Sequence, residues 1–225
     1  MIHAMNARSL VNWDQVDTVL LDMDGTLLDL NYDNSFWQEH LPRHFAEARG
    51  MALDAARAYL EPLFMSQRGK LEWYCVDHWS RVLELDVAAL KSRYIDLIAP
   101  LPGVERFLDA ARAAGKWLWL VTNAHPASLE LKMATTGFGS RFDAIISSHT
   151  LGYPKEDARF WLALMQRHPF DPARALMVDD NLSVLEAAQV YGVGQVLGIT
   201  RPDTRRPARP LEGVPTVEGL FALLP

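Results

Sequence analysis

The 225-residue chain has little of several things. It holds a single cysteine, Cys75, no polybasic run, and no stretch approaching the roughly 20 consecutive apolar residues of a membrane helix. One cysteine rules out an internal disulfide and fits a reducing compartment, with the lone thiol read as packing. The opening residues MIHAMNARSLVNW lack a basic start followed by an apolar core, so no secretory signal is read there and a cytoplasmic location is expected. Positive charge is also scarce. Lys and Arg number 22 against 28 Asp and Glu, a formal net charge of −6. That balance argues against an extended nucleic-acid face and against electrostatic membrane anchoring. An anionic ligand must then be held by a few local cations. What remains is an ordinary globular composition, 49% hydrophobic and 22% charged. It is enough for one large domain with an insertion, or for two small ones.

The stretch from Thr18 to Leu28, TVLLDMDGTLL, concentrates the chemistry. Thr18 to Leu21 is aliphatic and β-branched without interruption, as in a strand buried on both faces of a parallel sheet. Asp22 and Asp24 follow at its carboxyl end, two residues apart, so persisting extended geometry would send both to one side. Gly25 then permits a sharp turn. Two carboxylates this close repel each other and lose hydration unless a cation or shared proton compensates. Taken alone, the stretch fits a solvated Asp-x-Asp-Gly turn equally well.

Composition changes after Leu28. Residues 34–99 carry helical periodicity, many aromatics and little strand signal, with helices expected over 35–49, 53–67, 70–85 and 87–99. Pro42 predicts a kink or two shorter helices in the first of these. Four antiparallel helices joined by short turns would form a small bundle. From Val104 onward helix and strand alternate. Strands are expected over 117–121, 144–147, 175–178 and 195–199, and helices over 104–114, 127–136, 157–167 and 184–191. Sequential strand-helix-strand units imply a parallel α/β sheet with helices on both faces. Residues 201–215 read as an exposed Pro/Arg loop outside any site, 217–224 as a final helix, and 1–16 as a short arm or helix.

Ligands of such sheets sit beyond the carboxyl ends of the strands. There the sequence places Thr122 and Asn123, then Lys155 in GYPKEDARFW, then Asp179-Asp180-Asn181. Each taken singly is as well explained as a helix cap, a surface lysine or a turn. Together, DMDGT at Asp22, a strand-terminal Thr122, Lys155 after Gly-Tyr-Pro and the Asp179-Asp180 pair resemble the four motifs of the haloacid dehalogenase-like hydrolases. The resemblance implies a Rossmann-like parallel sheet, over residues 1–30 and 100–225, with an inserted α-helical cap over 31–99. It implies that Asp22 is a nucleophile forming an aspartyl-phosphate and that Asp24 is the general acid and base. Thr122, Lys155, Asn123 and Gly25 would bind phosphate. Mg2+ would be held by Asp22, the carbonyl of Asp24, and Asp180 or Asp179. A further family Asp, four residues after the main metal ligand, is Val184 here, leaving Asp179, water or Asn181 to fill the gap.

Asp24 favours phosphate esters, because halide departs without protonation and dehalogenases do not need the second acid. The segments DMDGTLLDLNYDNSFW, GKLEWYCVDHW and LGYPKEDARFW resemble the bacterial GMP/IMP-type purine 5′-nucleotidases of this family. The implied substrate is a small phosphorylated metabolite, a nucleoside monophosphate, with no nucleic-acid or membrane partner and a monomer or homodimer as the assembly. A sugar-phosphate phosphatase, a phosphomutase and a non-catalytic regulatory relative are the alternatives. Trp37, Trp73, Tyr74, Arg68 and Lys70 are the candidates for specificity.

Overall fold

The computed structural model describes residues 10–223, so residues 1–9 of the expected arm lie outside the described residues. Six parallel strands form one sheet: β1 (Thr18–Leu21), β2 (Trp117–Thr122), β3 (Ala144–Ser147), β4 (Ala175–Asp179), β5 (Gln195–Ile199) and β6 (Thr216–Val217). Their order is β3-β2-β1-β4-β5-β6. Every residue of β1 and β4 is buried, as their unbroken apolar runs require. The order reverses at β1, which pairs with β2 on one side and β4 on the other. A crevice therefore opens at the carboxyl ends of these strands. One apolar cluster, with Phe107 and Leu118, and another, with Phe160 and Trp161, each include residues of the sheet.

The helices are α1 (Asn31–Ser35), α2 (Leu41–Arg49), α3 (Leu53–Met65), α4 (Val76–Leu83), α5 (Val87–Ser92), α6 (Val104–Ala113), α7 (Pro126–Thr136), α8 (Ser148–Leu151), α9 (Ala158–Arg167) and α10 (Leu182–Tyr191). The first five lie in the segment between β1 and β2; α2 to α5 pack around their own apolar cluster, built on Phe36, Leu60 and Trp79, while Tyr32 of α1 joins the cluster of Phe107 and Leu118. A π-helical turn, Phe36–His40, joins α1 to α2, and Pro42 stands in the first turn of α2. Proline lacks the N–H that would continue the ladder, so the expected helix over 35–49 divides there.

Three expectations fail locally. The helix expected over 70–85 breaks at Cys75, which is extended (φ −86°, ψ 107°) and caps α4 through its sulfur. The helix expected over 87–99 stops at Ser92 and gives way to a short 3₁₀ turn, Ile95–Leu97. The segment expected as a terminal helix instead adds β6 to the sheet beside β5 before a 3₁₀ turn, Leu220–Ala222. Thr216 and Val217 are β-branched, and extended Gly219 separates them from the turn. No helix among the described residues is long and apolar enough to cross a membrane.

Candidate active site

A cavity of about 800 Å³ opens at the carboxyl ends of β1, β2 and β4 and is roofed by the helical segment. Asp22, Asp24, Thr122, Asn123, Lys155, Asp179 and Asp180 all line it. Asp22, Asp179 and Asp180 are buried, and one oxygen of each lies within 4.8 Å of the others. The ammonium of Lys155 donates to the Asp22 carboxylate, to Asp179 at 2.7 Å and to the Val121 carbonyl at 3.0 Å. Its backbone is pinned as well. The Lys155 N–H donates to Asn123 Oδ1 at 2.9 Å, and Trp161 Nε1 donates to the Lys155 carbonyl at 2.9 Å. Gly25, at φ +90°, allows this closeness, since a Cβ there would lie 2.7 Å from Asp180 Cγ.

Burial pushes Asp22 up to about 7, against the pull of Lys155 and with the repulsion of Asp179. Burial, then repulsion from Asp179 and Asp22, raises Asp180 well above the carboxylate range. Burial disfavours the Lys155 charge, but Asp179 and Asp22 outweigh it and hold the ammonium above its ordinary value. These three acids face two cations, Lys155 and Arg209, so the cluster is short of positive charge. Its donors are all hard oxygens. That set suits Mg2+ and offers nothing to a thiophilic metal.

The Asp24 carboxylate stands apart from this trio. Lys132, from α7, donates to Asp24 at 2.6 Å and to Asp33 at 2.5 Å, and Lys91 donates to Asp33 at 2.6 Å. Burial raises Asp24 to about 6, with Lys132 opposing and Asp33 and Asp22 adding to the rise. A proton held near neutrality is what an acid that later acts as a base requires. The separate attachment of Asp24 leaves Asp22 as the acid beside Lys155.

Several predicted site residues are otherwise engaged. The Gly25 N–H donates to the Leu28 carbonyl at 2.7 Å, so its part is to clear space for Asp180 rather than to bind phosphate. Asn123 donates to Glu156 at 2.9 Å while accepting from Lys155, which makes it a brace for the lysine loop. Asn181 caps α10 and donates to Glu156 at 3.1 Å. The Thr122 oxygen accepts from the Ala124 N–H at 3.0 Å, and its proton is available to a ligand. Val184, where the family's further acid would stand, is buried in an apolar cluster.

In the helical segment Trp37, Trp73, Tyr74 and Arg68 line the cavity. Trp37 makes edge contacts with Phe36, Phe64 and Trp79, as a core ring does. The Tyr74 hydroxyl donates to Glu156 at 2.7 Å. Lys70 is not part of the lining; it turns back on its own loop and donates to the Ser66 carbonyl at 3.1 Å.

The Pro/Arg loop expected to stay outside the site reaches into it. The Arg209 guanidinium donates to the Asp180 carboxylate and, at 2.9 Å, to its carbonyl. Asp203 is buried and accepts from Asn34 at 2.7 Å, and Arg206 donates to Gln38 at 2.7 Å. Lys132, Asp33, Lys91, Glu156 and Arg209 are thus site residues that sequence reasoning missed. For Lys132 a signal existed, because it follows Ser128 by four residues on the buried face of α7, where a lysine needs a partner.

A parallel sheet reversing at β1, with a buried aspartate set against a buried lysine and an acid pair at adjoining strand ends, defines a class of enzyme. The chain belongs to the haloacid dehalogenase-like hydrolases, whose family pattern matches residues 16–192. It is 38% identical over 215 residues to GMP/IMP nucleotidase YrfG of Escherichia coli K12, covering 96% of this chain and 97% of that one. A phosphoglycolate phosphatase of Xylella fastidiosa is 30% identical over 198 residues, covering 81% of this chain and 80% of its own. Among solved structures, a HAD phosphatase from Thermococcus onnurineus superposes with a TM-score of 0.79 at 23% identity, over 92% of this chain and 96% of that one. The protein is an enzyme, a phosphatase of this family.

Proposed function

We propose that the enzyme is a Mg2+-dependent phosphomonoesterase that works through an aspartyl-phosphate on Asp22 and takes purine nucleoside 5′-monophosphates, GMP or IMP, in the cytoplasm. The observation that carries this reading is the division of labour between two acids lining one cavity. Asp22 is set against Lys155, while Asp24 is held separately by Lys132 with its pKa near 6. An Asp22 oxygen bonds to phosphorus as the phosphorus–ester oxygen bond breaks, and Asp24 gives its proton to the departing alkoxide. Asp24 then takes a proton from water, whose oxygen attacks phosphorus, releasing inorganic phosphate and the free Asp22 carboxylate. Lys155 and Thr122 stabilise charge on the transferred group. Asp22, Asp180 and Asp179 would hold Mg2+, with the Asp24 carbonyl as a further ligand. The ion would supply charge neutralisation for the approach of one anion to another.

The reading of the substrate rests on the nucleotidase relative and on the space available. About 800 Å³ exceeds what a phosphoryl group alone needs and is lined by the exposed Arg68 and the half-buried ring of Trp73. Residues 31–99 act as a cap over a core of 1–30 and 100–225. The test is phosphate release with Mg2+ from GMP, IMP, pyrimidine monophosphates, phosphoglycolate and sugar phosphates. The expected result is the highest kcat/KM for GMP or IMP, with turnover abolished and folding kept in Asp22→Asn. Preference for a sugar phosphate or phosphoglycolate would reject the substrate, and near-normal turnover by Asp22→Asn would reject the mechanism.

A further inference from the structure

Away from the catalytic carboxylates, three side chains from distant parts of the chain meet where the helical segment touches the sheet core. We infer that Cys75, His125 and His149 form a second metal site, for a transition-metal ion of the Zn2+ class, that fastens the helical segment to the core. One ligand atom of each lies within 4.8 Å of the others. Cys75 caps α4 in the helical segment, His125 caps α7 and His149 lies in α8. The two imidazoles face each other edge to face, with centroids 4.9 Å apart and planes at 79°.

The Nε2 of His149 is buried and has no hydrogen-bond partner among the described residues. A buried ring nitrogen normally finds one, so its lone pair or proton awaits something in that space. Asp77 Oδ2, 3.5 Å from His125 Nε2, is at hand as a fourth ligand, with water as the alternative; ligation through Nε2 moves the ring proton to Nδ1 and replaces the long 3.3 Å bond that Nδ1 accepts from the Ala127 N–H. Zinc bonds of about 2.0–2.3 Å place tetrahedral ligands about 3.3–3.8 Å from one another, so small side-chain rotations close the set.

The donor chemistry separates this site from the catalytic one. Thiolate and imidazole select Zn2+, Co2+ or Ni2+ over Mg2+, whereas the carboxylate trio does the opposite. His125 lines the catalytic cavity. An ion shared by Cys75 and the two histidines would therefore hold α4 against the cavity wall and restrain the roof.

The test uses the full-length protein stripped with a chelator and titrated with Co2+, then with Zn2+ in competition with a chromogenic chelator. The expected result is one equivalent of Co2+ showing a thiolate-to-cobalt charge-transfer band. That band should vanish in Cys75→Ser, with Zn2+ affinity at that site lowered at least tenfold there and in His149→Asn. Asp180→Asn should keep the band. Absence of the band in the unmodified protein, or Zn2+ affinity unchanged in Cys75→Ser, overturns the site. Should His149→Asn fail to fold by circular dichroism, Cys75→Ser, at a half-buried surface position, decides alone.

Discussion

Lys132 offers the sharpest test of how Asp24, the proposed catalytic acid, is held. Its side chain is 2% exposed, and its ammonium is the cation bound to Asp24 and one of two bound to Asp33. Lys132→Met keeps the apolar stem and removes only the charge. Asp24, with 21% of its side chain exposed, is then left without its partner; breaking a fully buried ion pair from one side costs about 3–5 kcal/mol, and the partial exposure puts this loss at the low end of that range. The loss should depend on pH in a definite direction. Burial already raises Asp24 to about 6 from 3.8, and without the opposing pull of Lys132 its pKa rises further. A carboxyl whose folded pKa exceeds its unfolded value gains stability as pH falls. The deficit of Lys132→Met at pH 7 should therefore shrink by about 1 kcal/mol at pH 5. Adding Asp24→Asn to Lys132→Met removes the stranded charge and should recover part of the loss at pH 7. Urea unfolding followed by tryptophan fluorescence at both pH values measures all of this. A loss below about 1 kcal/mol at pH 7, or a deficit that grows on acidification, would refute the reasoning.

Asp24→Asn should slow alkyl esters such as nucleotides far more than aryl phosphates, since only poor leaving groups need its proton; equal losses on both, in steady-state kinetics, would reject the acid role. Asp33 is partly buried, and Lys132 and Lys91 outweigh the cost of its desolvation and hold its carboxyl below the ordinary 3.8. Its contribution is present above that value and lost as pH falls through it, so Asp33→Asn should be less stable than the parent at pH 7, with the gap narrowing in acid unfolding below about pH 4. Trp73→Ala should raise KM for GMP or IMP, a loss of about 1–3 kcal/mol of stacking, without a matching change for a small aryl phosphate. Trp37→Ala, by its packing, should instead cost about 3–5 kcal/mol of stability.

Parallel strands buried on both faces announce themselves as apolar runs. The carboxyl ends of β1, β2 and β4 could accordingly be placed from residues alone, and with them Asp22, Thr122 and Asp180. β3 and β5 also lie where periodicity put them, over 144–147 and 195–199. The π-turn before Pro42 and the extended Cys75 were less legible, because helical period continues through both and tertiary packing decides where the ladder breaks. The loop carrying Arg209 has no period at all. Its route over the site is set by hydrogen bonds such as the Arg209 N–H to the Thr200 carbonyl at 2.7 Å, a contact that composition cannot announce. Glu156 was hidden for a related reason. It looks like a surface acid at a loop until Tyr74, Asn123 and Asn181 are seen to converge on it from separate elements.

Charge balance distinguishes the two acidic neighbourhoods that begin two residues apart. Asp24 and Asp33 are matched by Lys132 and Lys91, so this pair of acids is neutralised by the protein itself. Asp22, Asp179 and Asp180 have only Lys155 and, from a half-exposed loop side chain, Arg209. A buried excess of negative charge is costly unless an ion or a proton joins it, whereas a balanced set needs neither. On the proposed mechanism the imbalance falls where a divalent cation would have chemical work to do, beside Asp22. The balanced set surrounds Asp24, the group that the proposed mechanism requires to exchange a proton with water and leaving group. Asp24 could not serve that purpose if a metal ion claimed its carboxylate, because a directly bound cation would depress its pKa and keep it ionised. Lys132 charges the site enough to keep Asp24 folded in place and, against burial, lets its pKa remain near 6. Two aspartates in a five-residue motif are in this way given different electrostatic surroundings by lysines that lie 108 and 133 residues further along the chain, as the proposed division of roles requires.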